Sequence, residues 1–177
     1  MMTPTAALTR YVLDRSTMAV AARKRDEVRF GFRAAGCNFL LGAEESVQII
    51  DARPVCPLPG TPGWCAGLIN LHGILLPVFD LARLLDGDAD GNSRYIMVFG
   101  QGSRSAGIYL DSLPGAVTLN KAPEPVGPLQ NDLMLACTDR QYRLANLVWL
   151  ETAFDRLFTE LSLRFQNHGS PKGRVIP

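Results

Sequence analysis

The sequence predicts a mostly β protein, two small β-barrels packed together and closed by one C-terminal helix. Sixteen glycines and twelve prolines lie scattered between short apolar runs, which favours many turns and short strands over long helices. The strand-like runs gather in two clusters, roughly residues 28 to 80 and 94 to 147, each of about five strands. Such strands are too short for a large sandwich, and closing them into small barrels removes exposed edges. From Leu150 the period changes: Leu150, Phe154, Leu157, Phe158, Leu161 and Phe165 mark one helical face, with Glu151 or Thr152 near its start.

In order along the chain, residues 1–27 form an N-terminal extension in which Leu8, Val12, Leu13, Met18 and Val20 suggest one face of a weak helix. The charged run Arg23 to Glu27 links it to a globular part spanning 28–165, divided at roughly 28–85 and 94–150. Val28, Phe30 and Phe32 alternate with Arg29, Gly31 and Arg33 as a strand does. After the turn at Ala34-Ala35-Gly36, Cys37 to Gly42 and then Val47 to Ile50 continue the β pattern. Thr61-Pro62 predicts the start of a short helical piece through Ala66. Two apolar runs, Leu68 to Leu71 and Ile74 to Val78, meet across His72-Gly73 as a buried hairpin, and Asp80 is placed to cap a helix from Leu81 to Leu85. In the second cluster, strands are expected at Tyr95 to Phe99, Ala106 to Leu110 and Gly115 to Leu119. A last hairpin is expected from Leu133 to Thr138 and Tyr142 to Leu147 about the turn Asp139-Arg140-Gln141. The end, 166–177, is turn-rich and expected to be a flexible tail.

Composition narrows the function. A net charge of +1 provides no electrostatic footprint for nucleic acid or an acidic membrane. No apolar run approaches the ~20 residues of a membrane helix, so no direct membrane insertion is expected. Arg10, Asp14 and Arg15 interrupt any signal core, and a cytoplasmic location is expected. Cys37, Cys56, Cys65 and Cys137 contain no CxxC pair and are expected as free, mostly buried thiols; with only His72 and His168 besides, no metal or other cofactor is expected.

The catalytic motifs fail on spacing. Asp86, Asp88, Asp90 and Gly91 open like a calcium loop, but the closing position is Met97 in place of a glutamate, which leaves a solvated turn. Gly100-Gln101-Gly102 is followed by a strand pattern, where a phosphate cradle needs a helix. Cys65 and His72 leave a thiol-dependent enzyme open as the rival reading, provided the two side chains meet. What remains is a binding module acting through exposed apolar patches and strand edges.

The stretch PLPGTPGWCAGLINLHGILLPVFDLARLL carries a resemblance to the CheW-like chemotaxis coupling proteins: Gly67, Asn70, Leu71, Gly73, Pro77, Asp80 and Leu81 fall on the family signature. FGFRAAGCNFLLGAEESVQII and AGIYLDSLPGAVTL are similar to further family segments, so the likeness covers about residues 28 to 155. It implies two SH3-like five-stranded barrels with an intervening core. It also implies a non-catalytic adaptor joining the cytoplasmic tip of a methyl-accepting chemoreceptor to the regulatory domain of a histidine kinase. Overall size and the LPG turn look most like the variant serving type IV pilus systems in twitching motility. Carried over by position, the receptor contacts fall on Val47, Gln48, Asn70 and His72, and the kinase contacts on Ile49, Ile50 and Leu58. Two departures stand out: His72 replaces the family's turn arginine, and Ile49 replaces a glutamate. Histidine is shorter and lacks the always-charged planar fork, so a weakened contact is implied, or even a decoy that binds receptor without kinase.

Overall fold

A computed structural model describes residues 27–86, 93–129 and 131–168. The weak helix expected before residue 27, the carboxylates Asp88 and Asp90, and residues 169–177 of the expected tail lie outside them. The described chain forms ten strands in two five-stranded sheets. Strand β1 (Glu27–Ala34) and β2 (Cys37–Leu40) make a hairpin whose turn residues Ala35 and Gly36 both take positive φ. Both carboxylate oxygens of Asp111 accept from the amides of that turn. Then come β3 (Val47–Asp51), the hairpin of β4 (Cys65–Leu71) and β5 (Ile74–Phe79), and the one-turn helix α1 (Leu81–Leu84). Strands β6 (Tyr95–Phe99), β7 (Ala106–Leu110) and β8 (Ser112–Leu119) follow. The chain ends in α2 (Asp132–Cys137), β9 (Thr138–Leu144), β10 (Leu147–Thr152) and the long helix α3 (Phe154–His168).

The strands do not share out as the sequential split at 85 and 94 implies. The second sheet is contiguous in sequence, ordered β3-β6-β7-β5-β4, whereas the first is ordered β8-β1-β2-β10-β9 and combines the chain's beginning with its end. The physical cause is pairing. β1 runs antiparallel to β8, β2 runs parallel to β10, and each joins segments about 80 or more residues apart that no local pattern connects.

Each sheet encloses its own small core. In the first it is Leu40, Leu119, Tyr142 and Leu144 with Trp149 against them; in the second it is Ile50, Ile69, Leu71, Leu76, Val78, Ile96 and Val98. A third, larger core lies between the sheets. There Phe99 stacks on Phe154 of α3, Phe32 lies tilted to it and Phe39 meets it edge-on, and Leu157 and Leu161 of the same helix complete the contact.

Three local expectations are corrected. Residues 61–64 form a turn and not a helix, because the Thr61 hydroxyl donates to Leu58 O and Cys65 N to Pro62 O, which sends the chain straight into β4. Of the strand expected over Leu133 to Thr138, Leu133 to Cys137 is helix: Asn131 accepts from the amides of Leu133 and Met134 and starts α2, β9 begins only at Thr138, and the final hairpin turns at Ala145-Asn146, both at positive φ. Leu150 belongs to β10, α3 begins at Phe154, and the helix continues through His168, past the boundary expected at 165.

Candidate partner-binding site

Strand β3 ends the strand order of the second sheet and, among the described residues, pairs only with β6. At its start, Val47 and Gln48 face the tip of the β4–β5 hairpin across a cavity of about 300 Å³ that Leu71, His72 and Ile74 also line. The hairpin tip is held firmly. His72 and Gly73 both take positive φ, as a tight two-residue β-turn requires, and Asn70 Oδ1 accepts the Gly73 amide at 2.8 Å. Asn70 therefore builds the turn and does not line the cavity, while His72 stands exposed at its rim. Ile74 and Leu75 beside it are exposed apolar residues.

The structure thus brings Val47, Gln48 and His72 together and gives Asn70 the supporting part. The three positions expected to contact a kinase do not converge. Ile49 is 40% exposed and opens onto a different groove. Ile50 is corrected: it alternates inward and is buried in the core of the second sheet, so its side chain is not offered to any partner. Leu58 is half-buried in the loop bridged to β4 by the Cys56–Leu68 pair. It borders neither the cavity nor the groove.

The groove beside Ile49 was not legible in the sequence. It measures about 550 Å³ and runs between β1, the β2–β3 loop and β3, with Val28, Phe30, Val47 and Pro114 on its walls. Val28 and Phe30 are 63% and 64% exposed, although they share a strand face with the buried Phe32 and Ala34. The face packs the inter-sheet core at one end and is bare at the other. Alternation located this face; it could not show where the covering layer stops.

A third cavity, polar and about 1080 Å³, lies between the β1–β2 turn, the proline-rich loop and α1, and none of the expected contact residues borders it. The Cys65–His72 pair is separated by the whole length of β4, roughly 20 Å at ~3.3 Å per residue. Burial pushes the Cys65 thiol up, opposite to what an activated nucleophile needs. Among the described residues no cluster of three metal-ligating side chains occurs, and no helix is long and apolar enough to cross a membrane.

Comparison with known proteins agrees with this architecture. The model of the CheW-like domain matches residues 30–156. A probable chemotaxis protein CheW of Rhizobium etli is 26% identical over 147 residues, 76% of this chain and 92% of that protein. Protein FrzA of Myxococcus xanthus is 33% identical over 115 residues, 62% of this chain and 72% of its own length. The crystal structure of scaffolding protein TtCheW from Thermoanaerobacter tengcongensis superposes with a TM-score of 0.63 at 19% identity, covering 78% of this chain and 91% of that one. The fold is the mostly β pair of SH3-like five-stranded barrels with a helix at the C-terminal end. A family match across the greater part of the chain, carried by the same fold, places the protein among chemotaxis coupling adaptors: it belongs to the CheW-like domain family.

Proposed function

We propose that this adaptor acts without catalysis by holding the cytoplasmic tip of a methyl-accepting chemoreceptor and the regulatory domain of a histidine kinase in a fixed relation. The observation that carries the receptor half is the meeting of the end strand β3 with the braced His72 tip around one cavity. A helical tip laid there meets apolar Val47, Ile74 and Leu75 and the polar rim of Gln48 and His72. The kinase half rests on the exposed Ile49 of β3 and the half-buried Leu58 of the proline-rich loop. Each contact is modest, and repetition in an array supplies the strength. Similarity to FrzA and the resemblance of the LPG turn favour a motility system of the twitching type.

Titration calorimetry with the cognate receptor tip and, separately, the kinase regulatory domain tests this reading. Binding to both is expected, and binding to neither refutes it. His72 favours one variant of the reading. With a shorter side chain that lacks the planar fork where the family's arginine stands, the receptor contact is weak, and His72→Arg is expected to tighten it by about 1 kcal/mol, roughly fivefold in Kd. Binding to receptor with none to kinase identifies a decoy.

A further inference from the structure

The polar cavity of about 1080 Å³ belongs to neither half of the adaptor reading: it shares no lining residue with the receptor cavity or with the groove beside Ile49. Both barrels build it. Arg33, Ala35 and Gly36 come from the β1–β2 hairpin of the first sheet, and Ala66 and Tyr109 from β4 and β7 of the second. Seams between packed units are where ligands commonly sit. The acidic groups on its wall already have partners. Asp111 accepts from the amides of Ala35 and Gly36, and Asp80 from those of Ala82 and Arg83. Arg33 and Arg83 also meet these carboxylates, but at 3.5 and 3.4 Å and with 58% and 62% of each arginine side chain exposed, and ion pairs of that kind hold little. Arg53, exposed on the loop after β3, makes no ion pair among the described residues. Burial raises the Tyr109 hydroxyl above its ordinary 10.0, with Asp80 adding to the rise and Arg83 opposing it, so that group stays a donor. The cavity is thus rich in donors, and its three guanidiniums outnumber its two carboxylates.

We propose that this cleft binds an acidic segment of a partner protein, an extended peptide whose carboxylates meet Arg53 first and Arg33 and Arg83 beside it. Charge argues for it: a guanidinium fork matches a carboxylate through two parallel hydrogen bonds, and Arg53 has that fork to offer. Size argues for a peptide over a small anion, because the cavity exceeds the roughly 300–1000 Å³ of small-molecule sites. Shape is set in advance. Pro54, Pro57 and Pro62 fix φ along the wall next to Arg53, so little ordering remains to oppose binding. Since the cleft is separate from the surfaces given to receptor and kinase, the segment belongs to a further interaction. The proposal stands whether or not those two contacts are made as described.

The test is an amide NMR titration of the isotope-labelled full chain with a peptide of alternating glutamate and alanine, about twelve residues long so that every register is offered. Saturable shifts are expected at the amides of Ala35, Gly36, Ala66 and Ala82. The Kd is expected to weaken roughly 2- to 5-fold from about 50 to about 200 mM NaCl. The matching glutamine–alanine peptide is expected to leave these amides unmoved. Arg53→Gln removes a guanidinium that has no ion pair among the described residues, and it is expected to weaken the Kd about tenfold, with Arg53→Lys losing less. Arg164→Gln, on the exposed face of α3, is expected to change nothing, and the amide spectrum of each variant reports that its fold is kept. Inorganic phosphate alone is the second probe. No saturable shift up to about 5 mM peptide, shifts centred on another surface, or an Arg53→Gln effect no larger than that of Arg164→Gln overturns the proposal. Phosphate binding the same amides as tightly as the peptide overturns it too, because the cleft would then hold any small anion.

Discussion

Arg29 is the charged residue that β1 turns inward. Its guanidinium donates to Leu41 O at 2.6 Å and to Glu151 at 2.7 Å, and Glu151 also accepts from the Tyr142 hydroxyl at 3.4 Å, so one side chain ties β1 past β2 to β10. Replacing it by methionine removes the shortest contact of the half-buried Glu151 and leaves it only the Tyr142 hydroxyl and Arg140 at 4.0 Å, and a loss of about 2 kcal/mol in urea denaturation is expected, partly restored by adding Glu151→Gln. Glu45 behaves oppositely. Burial raises its carboxyl above the ordinary 4.5, although the Gly42 and Phe154 amides donate to it. A carboxyl with a raised folded pKa holds its proton more tightly in the fold. Its contribution is therefore greatest below the ordinary value and is lost as pH rises through the folded one. Glu45→Gln keeps the acceptor oxygen and removes that loss, so its advantage over the parent in urea midpoint is expected to grow from pH 4 to pH 7. Gly67 carries the most restrictive backbone. At φ +136 a Cβ would lie 2.1 Å from Cys56 O, because the proline-rich loop pairs against β4 there. Gly67→Ala is expected to cost roughly 3 kcal/mol by thermal or urea melt. That glycine was visible in the sequence as part of a family pattern; the carbonyl that forbids a side chain was not, because Cys56 approaches through the fold.

At the scale of elements, the hairpins with a clear turn pair were legible and the caps that compete with them were not. His72-Gly73 sits between two apolar runs, and β4 and β5 pair in the register those runs imply, Leu71 opposite Ile74. Asp80 caps α1 as expected, through the amides of Ala82 and Arg83. The strand expected from Leu133 failed because an apolar run of five, Leu133 to Cys137, fits either state, and the Asn131 side chain decided it. Val28 and Phe30 likewise keep strand alternation whether covered or bare. The turn brace is open to direct measurement. Asn70→Ala removes the acceptor for the Gly73 amide, and a stability loss of about 1 kcal/mol is expected. The larger effect belongs to recognition: receptor-tip affinity is expected to fall further than in Gln48→Ala, because a loosened tip pays ordering entropy on binding. Equal affinities for the two variants in calorimetry would remove Asn70 from the recognition role.

For the whole molecule, the interleaved topology sets how it unfolds. The first sheet needs β1 and β2 from the chain's beginning and β8, β9 and β10 from its end, while the contiguous second sheet is inserted between them. A sequential division could not foresee this, since strand count and spacing are the same for both arrangements and only distant pairing tells them apart. The core between the sheets draws on β1 and β2, on β5, β6 and β7, and on α3, so neither barrel keeps its share when the other opens. One cooperative transition is therefore expected despite two barrels. The two tryptophans report on opposite sides: Trp64 packs on Phe79 at the edge of the shared core, and Trp149 lies against the private core of the first sheet. Trp64→Phe and Trp149→Phe each leave a single reporter. Once each variant's own stability change is measured by circular dichroism, fluorescence and circular dichroism are expected to give coincident urea midpoints and equal slopes within each variant. A fluorescence midpoint for Trp149 displaced from its own circular dichroism midpoint would mean that the first barrel opens alone, and the shared aromatic core about Phe154 would not be what couples the halves.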